Sequence, residues 1–255
     1  MAEPASLNLT ALQAVVTWVG TDGQAHHLYR HDNVLPLQVT LDVYYDRNQG
    51  RSGCTGLFTL RVPVDLKDSP HDITPLLLYI RPERVTTLLC QQSDDSGLLG
   101  AQVDDVDALV RAKLGPQIVC LKFVLNHPAD VVVPCSVPLV PTKQRPHGEQ
   151  MDLLANLAQI TSFSIHVKSQ DISSLSLLGE LSDAMTDPAK SIQSDATADD
   201  IASLYSGQGG RILKGAGLSA TRAHAMPPLS PPSYENVGEP PPMAPLDEGQ
   251  GKMDP

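Results

Sequence analysis

Gln117 to Asn126 reads QIVCLKFVLN, and the expected architecture hangs on this run. An extended chain points successive side chains to opposite faces. Val119, Leu121, Phe123 and Leu125 therefore share one face, and Ile118, Cys120, Lys122 and Val124 the other. The first face is wholly apolar and the second nearly so. Such a strand is expected in the middle of a sheet, with material packed on each side. Just before it, Asp104 to Leu114 reads as a helix. Asp104, Asp105 and Asp107 stand near its start, Arg111 and Lys113 near its end, and Gly115-Pro116 stops it. That order suits the helix dipole, and the stop is one helices use.

Composition divides the chain. Of 255 residues 41% are hydrophobic but only 4% aromatic, and after Phe163 the aromatic residues left are Tyr205 and Tyr234. Residues 1–170 are expected to form a β-rich globular domain, since a chain of that size buries about 70% of its unfolded surface. Residues 171–205 read as a marginal helical linker, and residues 206–255 as a disordered, acidic tail rich in Pro and Gly. Net charge is −11. Residues from Asp171 onward carry 12 acidic and 5 basic side chains, or −7, and the first 170 carry 17 and 13, or −4. Neither part has the clustered Lys and Arg that phosphate contacts demand, so no nucleic-acid partner is expected.

Cys54, Cys90, Cys120 and Cys135 include no CxxC pair, so the usual zinc spacing is missing. Cys90 and Cys120 read as core filling. The start MAEPASLNLT has neither a basic stretch nor a continuous apolar one, so no secretory signal is expected. No apolar run approaches the roughly 20 residues a membrane-spanning helix needs. A cytoplasmic or nuclear protein with reduced thiols is the expectation.

Most of the first part reads as strands. Ala14–Gly20, Thr21-Asp22-Gly23 and Gln24–Arg30 form a β-hairpin in which Asp22 and Gly23 can both take positive φ. Leu37–Tyr45 is a half-exposed strand, Leu57–Val64 a strand whose Pro63 marks an end or an edge, and Leu76–Ile80 a buried strand broken by Arg81-Pro82. Val85–Gln91 fits a strand or a short helix. Ala129–Val140, interrupted by Pro134 and Pro138, fits an edge strand. Gly148–Ile160 carries apolar residues at helical spacing, and Thr161–Lys168 alternates as a strand. Ser173–Met185 and Ala198–Tyr205 fit short helices that would be marginal alone. The fold class expected is α+β: a β-rich, sandwich-like domain with two or three helices and a disordered C-terminal tail.

Few residues suggest chemistry. Pro231-Pro232-Ser233-Tyr234 fits PPxY, the pattern WW domains read, because a polyproline II segment is already extended and loses little entropy on docking. In so Pro-rich a stretch the pattern also arises by chance. A second Pro cluster, Glu239–Pro245, lacks the flanking Arg or Lys that would orient an SH3 ligand. His26, His27, His31 and Asp32 are the densest metal-like set, but on a strand and loop their spacing does not converge, so no metal is expected. Gly207–Gly217, GQGGRILKGAG, departs from the phosphate loop because Lys214 precedes Gly215 and no strand leads in. It reads as a flexible loop in which Arg211–Lys214 could be a short linear binding motif. There is no GxSxG elbow, His71-Asp72 has no nucleophile beside it, and Cys54, in a loop-like context, has no identifiable base.

LLLYIRPERVTTLLCQQ (76–92), LKFVLNHPADVVVPC (121–135), LANLAQITSFSIHV (154–167) and DDIASLYSGQGG (199–210), followed by PPSYENV, resemble a family of uncharacterised filamentous-fungal proteins. The resemblance covers most of the chain and implies no activity, ligand, cofactor or catalytic residue. The function expected is that of a non-enzymatic interaction protein, adaptor or regulator, whose tail offers PPxY to a WW-domain partner. The alternatives are a small-ligand protein or enzyme whose pocket is built by distant residues, and a nuclear regulator acting through protein contacts.

Overall fold

The computed structural model describes residues 6–29, 38–47, 54–69, 73–93, 106–142, 147–187, 192–194, 200–214 and 217–218. All lie in the first of the chain's two compact units, Met1–Ala225; the second, Met226–Pro255, falls outside the described residues. Among them the protein is β-rich, with one large, almost wholly antiparallel sheet and three helices.

The strands are β1 (Ser6–Val19), β2 (Ala25–Leu28), β3 (Thr40–Asp46), β4 (Cys54–Val64), β5 (Thr74–Ile80), β6 (Val85–Ser93), β7 (Ile118–Leu125), β8 (Asp130–Pro134), β9 (Ser162–Lys168), β10 (Ile192–Ser194) and β11 (Gly210–Lys214). The helices are α1 (Val106–Leu114), α2 (Glu149–Leu157) and α3 (Leu175–Thr186). The hydrogen-bonded order is β11-β8-β5-β4-β3-β1-β9-β7-β6, with β2 on β1 and β10 on β4; of these pairings the one between β10 and β4 is parallel.

The hinge of this path is β1. Its first half pairs with β3 and its second half with β9 and β2. Between Leu9 and Leu12 the register slips, and Ala11 sits at a φ of 55°. The slip flips the alternation: Leu7 and Leu9 are buried before it, and Leu12, Ala14, Val16 and Trp18 after it. A bulge inserts one residue and so keeps the apolar set on the core side of a bent strand. Asp42 holds the bulge, taking the Ala11 N–H on Oδ1 at 2.7 Å and Arg61 Nε on Oδ2 at 2.5 Å.

β7 corrects the expectation for QIVCLKFVLN. Val119, Leu121, Phe123 and Leu125 are fully buried, but on the other face Lys122 is exposed and Cys120 and Val124 are half-buried. Among the described residues that face is fully buried at Ile118, where α1 packs Val110 and Leu114 over Ile118 and Val15. The lone lysine was the honest signal of an open side. α1 itself ends as expected: Gly115 has φ 89° and its N–H reaches Arg111 O at 2.8 Å.

Val85–Gln91 is strand, not helix. The hairpin of β1 and β2 turns with positive φ at Gly23 alone; Asp22 instead accepts the Gln24 N–H on its carboxylate. Pro63 lies where β3 has ended, since β3 pairs with β4 only as far as Arg61. β8 is not an edge: all five of its residues are buried, with β5 on one side and β11 on the other.

Hydrogen-bonded structure also runs past residue 170. α3 is no marginal segment, because Leu177, Leu178, Leu181 and Ala184 enter the main core. Ser174 caps its start by accepting the Leu177 N–H. Ile192, on β10, is buried as well. Among the described residues no helix is long and apolar enough to cross a membrane, which says nothing about strands that might.

Candidate functional site

One face of the sheet carries a small core of its own. Leu77 and Tyr79 on β5 and Val132 on β8 form it, covered by Ile201, Leu204 and Tyr205. The covering segment was expected to be a short helix ending in a flexible Gly-rich loop. It is instead a run of turns leading into β11. Tyr205, Ser206 and Gly207 all have positive φ, 55°, 59° and 83°. The left-handed region costs a non-glycine residue on the order of 1 kcal/mol or more, so something must hold it there. The hold is visible: Tyr205 Oη donates to Val132 O at 3.0 Å, and its ring packs on the small core. Burial pushes the Tyr205 phenol above its ordinary range. Gly210 N–H donates to Ile201 O at 2.7 Å and Cys135 N–H to Gly209 O at 3.1 Å. A Cβ on Gly210 would stand 2.7 Å from Val132 Cγ1, so the chain can come this close only as glycine.

From Gly210 the chain pairs antiparallel with β8: Gly210 with Pro134, Ile212 with Val132, Lys214 with Asp130. GRILK thus adds a strand in cis, its backbone N–H and C=O groups supplying the attachment. Arg211 and Ile212 stay exposed. Together residues 200–214 act as a clasp on the sheet.

The clasp ends beside an ionic cluster. Asp130, the first residue of β8, is almost fully buried. Its Oδ2 accepts from Arg84 Nη2 at 2.7 Å and from Arg81 Nη1 at 3.3 Å. Arg84 Nη1 also donates to Pro128 O at 2.7 Å. A buried carboxylate needs such partners, since left alone it would be costly. Both arginines come from the turn after β5, where Pro82 opens a single 3-10 turn, Pro82–Arg84. Glu83, between them, faces β10. It accepts the Ser194 N–H on Oε1 at 2.6 Å and the Ser194 hydroxyl on Oε2 at 2.7 Å. Burial raises the Glu83 carboxyl, but the two bonds from Ser194, a bond from its own backbone N–H and the Arg81 charge together outweigh it, and the net shift is downward. Arg81, Glu83, Arg84 and Ser194 line a cavity of about 360 Å³.

The residues singled out from sequence fall elsewhere. Pro231, Pro232, Ser233 and Tyr234, with Glu239–Pro245, His31, Asp32, His71 and Asp72, lie outside the described residues. His26 and His27 are successive residues of β2, so they face opposite ways. His26 stacks on Trp18, with centroids 5.6 Å apart, and meets Asp22 at 3.2 Å. Burial, then the neighbouring His26, lowers the His27 pKa. Among the described residues no three His, Cys, Asp or Glu side chains converge as a metal site would require. Cys54 opens β4 rather than a loop, 4.0 Å from Tyr45 Oη, and burial with Cys54 pushes that phenol up to about 12. Cys90 is half-buried, its thiol raised by burial first and by Cys120 and Asp183 after.

Arg81, Glu83 and Arg84 sit in one sequence triplet around Pro82, yet the signal that would have marked them is long-range. Asp130 lies 49 residues beyond Arg81 and Ser194 lies 111 beyond Glu83. Comparison of the chain with protein families, with curated proteins and with solved structures finds no match.

Proposed function

We propose that the chain is a non-enzymatic interaction protein in which a folded β-rich domain holds a PPxY-bearing tail out to a WW-domain partner. The observation that carries this reading is the clasp: residues 200–214 are fastened to β8 by Tyr205 and by strand pairing. Leu218, just beyond, is buried. The tail is therefore rooted on the domain, and Pro231 lies 13 residues past that root. A linker of that length spans at most about 45 Å. A partner caught by Tyr234 is thereby tethered covalently to the folded domain, which raises its effective concentration there.

The cavity at Arg81 and Arg84 favours this over an enzyme. Its charges are met by one another, with both arginines on Asp130 and Glu83 on Ser194. A catalytic site would aim at least one such group at a substrate. A further part of the reading is that the two ends of the strand path fold over each other like a sandwich. Phe58 on β4 meeting Phe123 on β7 edge to face, centroids 5.1 Å apart, supports it. A cytoplasmic or nuclear home fits the reduced cysteines and remains part of the proposal.

The test is binding of the full chain and its Tyr234→Ala variant to a panel of isolated WW domains. Binding of at least one domain by the full chain, lost in the variant, is expected. Equal binding by the two, or none by either, ends the reading.

A further inference from the structure

We infer that the chain forms a domain-swapped dimer, in which β11 of one copy leaves its own sheet and pairs with β8 of a second copy. The inference stands apart from the PPxY reading, since it concerns residues of the folded unit.

The hinge is the turn between the two halves of the clasp. Ile201, Leu204 and Tyr205 lie on the small core, and β11 pairs with β8. Between them the chain reverses through Ser206–Gly209, with φ of 59° at Ser206, 83° at Gly207 and 77° at Gly209. Ser206 is strained there, because an L side chain disfavours positive φ, and a short hinge under strain invites swapping. The turn is held by the Gly207 and Gly209 N–H groups on Leu204 O, at 3.2 and 3.1 Å, and by the Gln208 N–H on Tyr205 O at 3.2 Å. Ser136 Oγ also donates to Gln208 Oε1 at 2.8 Å. Ser206, Gly207 and Gln208 are exposed, so water replaces the bonds they lose when the turn straightens, while the strain at Ser206 is relieved.

The occupant of the place beside β8 is written in the chain. β8 matches β11 in register, and a second copy carries the same strand. Each contact of β11 within one copy is therefore re-made between two. Gly210 N–H meets Ile201 O, Ile212 stands opposite Val132, and Leu213 and Leu218 enter the partner's main core instead of their own. The reach is sufficient. β11 ends the strand path, so no further described strand stands between two copies brought edge to edge. Gly210 lies five residues beyond Tyr205, which stays on its own Val132. Five extended residues span at most about 18 Å. Two β8 strands with both exchanged strands between them are about 15 Å apart at closest. The contacts being equal, strain favours the exchanged form and the lost freedom of two joined copies opposes it, so concentration decides the balance.

The experiment unfolds the full chain in urea, refolds it at low and at high protein concentration, and measures its mass by light scattering after size-exclusion chromatography. Monomer at low and dimer at high concentration are expected. To identify the exchanged strand, Ile212→Cys chains are refolded together with Val132→Cys chains. Counting from the Cys135–Gly209 bond, positions 212 and 132 form a non-hydrogen-bonded pair with Cα atoms about 4.5 Å apart, which suits a disulfide. Each chain carries one of the two substitutions, so a disulfide joining positions 132 and 212, mapped by mass spectrometry, forms only between copies. If Val132→Cys fails to fold, an intermolecular NOE between Val132 and Ile212 in a dimer of mixed 13C- and 15N-labelled chains decides instead. Ser206→Gly should weaken the dimer by about 5-fold per hinge, or about 25-fold for the two. No described atom stands within 4 Å of a Cβ at Gly207, so Gly207→Val strains the closed backbone alone and should strengthen the dimer. Monomer at every concentration in both the full chain and Gly207→Val, a dimer without the link between positions 132 and 212, or a dimer indifferent to both hinge variants overturns the inference.

Discussion

β6, an end of the strand path, and β8, next to the end strand β11, have their outer sides covered in different ways. A strand at the margin offers unpaired backbone groups that invite association. At β6 a helix supplies the answer: Leu88 O accepts from Ser182 Oγ at 2.8 Å and from Thr186 Oγ1 at 3.1 Å, and Leu88 N–H donates back to Thr186 Oγ1 at 3.4 Å. Two hydroxyls on one face of α3 stand where a neighbouring strand's amide and carbonyl would be. At β8 a strand supplies it, β11, from a glycine-rich run with few apolar residues. The first cover is welded to the main core by Leu177, Leu178 and Leu181. The second rests on a small separate core and a tyrosine hydroxyl. A cover built on a large core should be structural, and one built on a small core should be detachable.

The widest test of that contrast is to end the chain at residue 170. This removes both covers, leaves Leu88 and Val132 bare, and opens the main core where Leu178 and Leu181 were fully buried. The expected result is no cooperative unfolding transition and ready aggregation. A shortened chain that melts sharply would show that α3 is only an ornament. A finer cut is the pair Ser182→Ala and Thr186→Val, which keeps the helix but strips the hydroxyls from Leu88. A buried carbonyl left without a donor costs about 1–3 kcal/mol. Urea denaturation should show a loss of that size with an unchanged m-value, and Leu88 amide exchange should quicken.

At the other margin the expected effect is smaller and local. Tyr205→Phe deletes the bond to Val132 O and keeps the ring, a loss of about 0.5–1.5 kcal/mol. Because the clasp is fastened to its own small core, the loss should appear as faster amide exchange over Gly210–Lys214 with little change in melting temperature. A global loss of stability equal to that of the Ser182 and Thr186 pair would erase the distinction between the two covers.

Sequence made one of these covers readable and hid the other. Ser173–Met185 shows a leucine stripe at helical spacing, so α3 was legible as a helix, although its burial was not, because nothing local says which surface a stripe meets. GRILK has no stripe or alternation long enough to count. Its place is set by Gly210 and Tyr205, whose partners on β8 are more than 70 residues away. The same limit explains β1. Val15 to Val19 alternate plainly, but the strand's first half was missed because Ala11 breaks the period and turns Leu7 and Leu9 out of step with Leu12 and Ala14. A bulge is invisible to a period-two reading. The ionic cluster was half legible: Arg81, Glu83 and Arg84 flank a proline that ends a strand, while Asp130 and Ser194 come from segments that sequence could not bring near.

The subtlest difference between firm and detachable segments lies in pH. β10 is tied by the Glu83 carboxylate, whose pKa is lowered in the folded chain from an ordinary 4.5. A carboxyl with a depressed folded pKa stabilises the fold above its unfolded value and loses that contribution as pH falls through the folded one. Acidification through that depressed value should therefore loosen β10, because the protonated carboxyl accepts less strongly from Ser194, while the tie between α3 and Leu88, made by the Ser182 and Thr186 hydroxyls, should not respond. The Ser194 amide proton shift, followed by NMR as pH is lowered, should move with a midpoint below 4.5. Ser194→Ala should raise the Glu83 midpoint by removing the hydroxyl donor, and the Ser182 and Leu88 amides should stay still in both chains. A Leu88 amide that titrates together with Ser194 would mean that β10 and α3 open as one unit, and that the chain's C-terminal third is fastened less unevenly than its two kinds of contact imply.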